Sequence, residues 1–148
     1  MKNRMKLLLA LFLLPLSSCE STGSRGVSAV RTNGNPLIGT WKFDSAASMA
    51  YTVNYNSNRV GVAIDAAAAR KLIQSMKGSS LRYTDNTIHT TIPNGVIVTS
   101  KYSFVSMGPG EIVRLKDFRG DEYILKLAGN NLINEAPDLN IAAVFSKQ

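Results

Sequence analysis

His89 is the only histidine in this chain of 148 residues, and Cys19 is its only cysteine. One histidine excludes a two-histidine metal site. One cysteine excludes both an internal disulfide and a cysteine-rich zinc site. A nucleophile needs a base within hydrogen-bond reach. His89 lies in the alternating run 87–92, opposite Ile88, Thr90 and Ile92, so it is expected on the solvent face of a strand. No serine sits in a Gly-x-Ser-x-Gly elbow, and neither glycine-rich phosphate motif is present. Asp117, Asp121 and Glu122 gather around Arg119-Gly120 and offer oxygens of the kind calcium takes. Their spacing is not that of a calcium loop, and a solvated turn is the simpler reading. Tyr51, Tyr55, Tyr83 and Tyr102 have rings that can stack on sugars or bases, but they are scattered and read as core or rim packing. No catalytic residue, metal or cofactor is expected.

Cys19 has a different context. Lys2, Arg4 and Lys6 precede an apolar run from Leu7 to Leu16. About ten residues cannot cross a hydrocarbon core of about 30 Å, but they suit the apolar segment of a secretory signal. The run ends in Leu16-Ser17-Ser18-Cys19. This resembles the lipobox of bacterial lipoproteins, in which small residues let the peptidase approach the backbone. The resemblance implies that the Cys19 thiol takes a diacylglycerol, that residues 1–18 are removed, and that the freed amine takes another acyl chain. Each buried methylene adds about 0.8 kcal/mol, so two or three chains hold a protein firmly to a bilayer. Glu20 is not the aspartate associated in that family with inner-membrane retention. The resemblance therefore implies a lipid-anchored protein of the cell envelope. If the source is Gram-negative, it implies the outer membrane, facing the periplasm.

The composition is 45% hydrophobic and 18% charged, which excludes wholesale disorder, a coiled-coil rod and a multi-span membrane protein. The net charge is +7, with 17 basic and 10 acidic residues. Three of the basic residues lie in 1–18, so their removal leaves 14 against 10, or +4. The longest remaining basic cluster is Arg70-Lys71, and no nucleic-acid partner is expected. Residues 20–36 (ESTGSRGVSAVRTNGNP) lack hydrophobic periodicity. They read as a flexible tether with a mean reach of about 20–25 Å. The expected organisation is a signal peptide over 1–18, the lipidated Cys19 and tether over 19–36, and one globular domain over 37–148.

Within that domain, residues 37–43 predict a strand with Trp41 and Phe43 on one face. Asp44 and Ser45 suit a helix N-cap. Ala46, Met49, Ala50 and Val53 then make one helical stripe, expected to face the core. Residues 59–64 alternate as a short strand would. Asp65 begins a second helix, with Ala69, Leu72, Ile73 and Met76 inward, Arg70, Lys71, Gln74 and Lys77 outward, and Gly78 placed to end it. From Leu81 the period becomes two. Asp85-Asn86, Asn94-Gly95, Gly108-Pro109-Gly110, Arg119-Gly120 and Asn130-Asn131 punctuate the runs. Val96, Val98, Tyr102 and Phe104 are expected on one face, then Val113 and Leu115, then Tyr123, Leu125 and Leu127. The expected fold class is α+β, mainly β. One strand, one or two inserted helices and about seven meander strands form a curved sheet or incomplete barrel.

Gly39-Thr40-Trp41 on the first strand of such a meander resembles the lipocalin signature. The layout over 37–148 is similar to small bacterial lipocalin-like lipoproteins. This chain departs from lipocalins in placing helices after the first strand and in having no disulfide pair. The resemblance implies that Trp41 packs across a closed barrel end. It makes Trp41, Phe43, Tyr102 and Tyr123 the candidate ligand-facing residues. The expected function is a non-catalytic, membrane-anchored envelope lipoprotein binding an apolar small ligand or an envelope protein. A ligand-free structural role is the alternative, and a carboxylate-dependent hydrolase stands further off. A ligand binder requires an apolar cavity, whereas a structural protein requires a filled core.

Overall fold

The computed structural model describes residues 34–59 and 65–148. The signal segment, Cys19, most of the tether and most of the 59–64 strand expectation lie outside those residues. Asn35 and Pro36, the last residues of the expected tether, join the domain: the Asn35 side-chain amide donates to the Tyr102 hydroxyl at 2.6 Å.

The chain runs β1 (Gly39–Phe43), α1 (Ser45–Ser57), α2 (Ala66–Ser75), β2 (Ser80–Tyr83), β3 (Thr87–Thr91), β4 (Ile97–Gly108), β5 (Ile112–Asp117), β6 (Glu122–Ala128), β7 (Asn131–Ala136) and β8 (Ile141–Lys147). The eight strands form a closed antiparallel barrel in sequence order. Closure comes from three β1–β8 pairs, Trp41↔Lys147, Lys42↔Ser146 and Phe43↔Phe145. The sheet is thus a complete barrel rather than an open one, mainly β, with two helices inserted after the first strand.

Alternation decides what faces inward. Leu81 and Tyr83, Val113 and Leu115, Leu125 and Leu127 are all buried in one core with Trp41 and Phe145. Arg82, Lys101 and Arg114 are exposed on the outward positions between them. Apolar inside and charged outside is the reverse of a barrel that faces lipid. Val98, Tyr102 and Phe104 take the inward positions of β4, but Val96 precedes the strand and is exposed. A bulge between Phe104 and Ser106 bends this twelve-residue strand around the barrel.

Helix α2 packs as its stripe predicts: Ala69, Ile73 and Met76 are buried, while Arg70, Lys71, Gln74 and Lys77 are exposed. Asp65 caps it, accepting from the Ala67 and Ala68 amides. Helix α1 does not follow its predicted stripe. Ala46, Ala50 and Val53 are exposed, and Ser48, Thr52 and Asn56 are the buried residues. The cause lies in β8. Beyond Phe43, β1 no longer covers the β8 edge, and that edge needs hydrogen-bond partners. The Asp44 amide donates to the Val144 carbonyl at 2.9 Å. Ser48 Oγ accepts from the Val144 amide at 2.8 Å, Thr52 Oγ1 accepts from the Ala142 amide at 3.0 Å, and Asn56 donates to the Asn140 carbonyl at 2.6 Å. Four helical residues rise about 6 Å and two strand residues about 6.7 Å, so the two ladders stay in step. A polar helix face stands in for the missing strand. Tyr51 and Ala47 of α1 also cover Ile133, Ala142 and Val144 on the outer wall. Burial on both faces explains the unbroken apolar run of β8.

Candidate functional site: the barrel cavity

A cavity of about 300 Å³ lies inside the barrel. Tyr83, Ile88, Tyr123, Leu125, Leu132 and Phe145 are among its walls. Strand register explains its mouth. β6 pairs with β7 only from Lys126↔Ile133 to Ala128↔Asn131, so no ladder joins residues 122–125 of β6 to 134–136 of β7. β4 pairs with β5 only from Tyr102 onward, so, among the described residues, 97–101 have β3 alone as a strand neighbour. The β5–β6 hairpin tip therefore stands away from the strands on both sides. The mouth lies there, between Phe118 and Arg119 at the tip and the 3₁₀ turn Pro137–Leu139.

The opposite end is plugged. Leu37 is fully buried and Trp41 is 1% exposed. The Trp41 indole N–H donates to the Leu37 carbonyl at 2.7 Å, and the Lys147 ammonium sits 5.2 Å from the ring centroid. Gly39 enters β1 at φ 129°, a conformation that disfavours any side chain.

The candidates from sequence thus take different places. Cys19 lies outside the described residues. Trp41 sits in the plug and is not among the described residues around the cavity. Phe43 packs edge-to-face on Phe145, with centroids 5.5 Å apart, and is likewise off the cavity surface. Tyr102 lies behind it: its ring meets Tyr83 at 5.4 Å, and its hydroxyl donates to the Thr84 carbonyl at 2.6 Å. Tyr123 lines the cavity. Tyr83, Ile88, Leu125, Leu132 and Phe145 were not singled out as ligand-facing, although their inward parity was readable.

Three tyrosines give the interior its chemistry. Burial pushes the Tyr83 hydroxyl well above its ordinary pKa, with Tyr123 and Tyr102 adding to the shift. Burial also raises Tyr123, helped by Tyr102 and Asp117. Tyr102 is raised by burial against the opposing hydrogen bond from Asn35. All three are therefore neutral hydroxyls at ordinary pH. Tyr102 is satisfied by protein. The Tyr83 and Tyr123 hydroxyls have no hydrogen-bond partner among the described residues, and both residues face the cavity.

Other candidate groups are engaged on the outside. His89 lies on the outer face, with Nδ1 2.9 Å from Thr99 Oγ1 and Nε2 3.3 Å from Thr87 Oγ1. Asp117 Oδ1 accepts from the Arg119 and Asp121 amides at 2.7 and 3.0 Å, which shapes the hairpin turn. No group of three or more potential metal ligands occurs among the described residues. On the outer wall, Lys126 Nζ pairs with Glu135 at 2.6 Å, and the Tyr51 hydroxyl donates to the same oxygen at 2.7 Å. The Glu135 hydrogen bond holds the Lys126 ammonium above its ordinary pKa.

The class these features define is an eight-stranded up-and-down barrel of lipocalin-like layout, plugged at one end and hollow toward the other. Comparison with family models, curated proteins and solved structures finds no match to the chain.

Proposed function

We propose that this protein is a non-catalytic, membrane-anchored bacterial envelope lipoprotein whose barrel binds an apolar small ligand. The observation that carries the reading is the cavity of about 300 Å³, apolar in most of its wall and open at the end away from Trp41. That volume falls at the lower end of small-molecule sites. The Leu16-Ser17-Ser18-Cys19 motif supports the anchor and, through it, a bilayer partner reached by acyl chains on Cys19. The absence of aspartate after Cys19 favours the periplasmic face of the outer membrane in a Gram-negative source. His89, held by threonine hydroxyls on the outer wall, favours binding over catalysis.

Two measurements test the two halves. Mass spectrometry of the mature N-terminus should find acylated Cys19, and Cys19→Ser should leave the precursor uncleaved. A free N-terminus at another residue would overturn the anchor. The purified protein should bind the neutral fluorophore N-phenyl-1-naphthylamine saturably, and Ala136→Leu, which fills part of the cavity wall, should weaken that binding. No saturable binding would overturn the ligand reading.

A further inference from the structure

We propose that the cavity selects uncharged apolar molecules bearing a hydrogen-bond acceptor, such as a medium-chain ketone or alcohol, and rejects fatty-acid carboxylates of equal length. This rests on the ligand-binding reading above. It begins from the side chains inside. Tyr83 is 4% exposed, lines the cavity, and has no hydrogen-bond partner for its hydroxyl among the described residues. Tyr123 on β6 is only partly buried, and its hydroxyl likewise has no partner among the described residues. A hydroxyl that opens onto an apolar cavity offers a donor to a ligand oxygen, and such a bond contributes about 0.5–1.5 kcal/mol. Thr90 adds a third hydroxyl to the wall.

A carboxylate would meet a different balance. No lysine or arginine lies on an inward strand position of the cavity wall among the described residues. Lys101 and Arg119 stand at the mouth, where Arg119 is held 5.1 Å over the exposed Phe118 ring. They stand among four carboxylates, those of Asp117, Asp121, Glu122 and Asp138. A ligand anion would therefore enter past negative charge and lose its water without a cation to replace it. The same burial keeps the proton on Tyr83 and Tyr123, and it penalises any other negative charge there. Size narrows the class further. A cavity of about 150 Å³ takes benzene, so about 300 Å³ takes on the order of a dozen heavy atoms, with a longer tail free to pass through the mouth.

Calorimetry of the purified protein with 2-undecanone, 1-decanol and sodium decanoate at pH 8 tests the proposal. The ketone and the alcohol should bind, and decanoate should bind at least about tenfold more weakly. Tyr83→Phe/Tyr123→Phe should weaken the ketone about tenfold, and a far-UV circular dichroism spectrum matching the wild type's shows that the variant folds. Decanoate binding as tightly as the ketone would overturn the selectivity and leave the ligand reading standing. Equal ketone binding by the wild type and the double variant would overturn the assignment of the two hydroxyls. Failure of every probe would overturn the ligand reading itself.

Discussion

Thr52→Val is the sharpest test of how α1 is held to the barrel. Thr52 is 1% exposed. Its hydroxyl accepts from the Ala142 amide at 3.0 Å and donates to the Ala142 carbonyl at 3.3 Å. Valine keeps the shape and removes both bonds. The Ala142 groups would then be buried beside a methyl, with α1 still blocking water. A buried backbone group left unpaired costs about 1–3 kcal/mol. The longer bond contributes less, so a total loss of about 2–4 kcal/mol is expected. Ser48→Ala orphans only the Val144 amide, because the Val144 carbonyl keeps the Asp44 amide, and should cost about 1–3 kcal/mol. Val53→Ala, one position along the helix, removes a side chain that is 46% exposed and should cost within about 0.5 kcal/mol. Urea unfolding with a common slope gives the three values, and amide exchange at Ala142 locates the damage. A hydrophobic stripe holding the helix would reverse the order. If Val53→Ala cost more than Thr52→Val, the account of α1 as a substitute strand would be wrong.

Two further outcomes follow from the two ends of the barrel. Trp41→Ala should cost about 3–5 kcal/mol in urea unfolding, as buried aromatic deletions do, and a loss below about 1 kcal/mol would show that the plug does not carry the closed end. At high pH the raised tyrosines act through linkage. Below about pH 10 both states keep their phenolic protons; above it the unfolded chain releases them while folded Tyr83 and Tyr123 do not, so stability falls as pH rises. Each contributes a slope of up to about 1.4 kcal/mol per pH unit. Tyr83→Phe should flatten the alkaline slope by about one such increment, and an unchanged slope would refute the assignment.

The barrel was legible because its signals are local. Period-two runs, Asn-Gly and Gly-Pro-Gly turns and inward pairs such as Val113/Leu115 each speak for a few residues. Neighbouring runs agree. Helix α2 was legible for the same reason, with an apolar side, a charged side and an Asp65 cap. Helix α1 was not. Ala46, Met49, Ala50 and Val53 have the spacing of a core stripe, but three of the four are exposed, because the surface facing the helix is a strand edge rather than a hydrophobic wall. A rule that ranks helix faces by hydrophobicity cannot find a face chosen to donate and accept. Ser48, Thr52 and Asn56 at four-residue spacing were the available signal. They acquire meaning only beside an unpaired edge at 140, 142 and 144, some 84 to 96 residues away.

The site divides along the same line. Trp41 and Tyr123 are both inward aromatics on barrel strands, and nothing in their parity separates a plug from a wall. Register separates them. Trp41 pairs with Leu81 and Lys147 where β1 joins β2 and β8, and the turn from Asn35 folds back to meet it. Tyr123 sits on the part of β6 that has lost β7, so its ring borders a gap instead of a neighbour. The cavity is therefore a product of how far each pair of strands stays zipped. That quantity depends on relations between distant segments, and it decides which of several equivalent inward residues meet a ligand. Two shortened ladders, β6–β7 and β4–β5, leave this barrel open beside the β5–β6 hairpin. The residues beside the shortened β6–β7 ladder, Tyr123 and Leu125 facing Asn134 and Ala136, are where a change in ligand preference should arise before any change in fold.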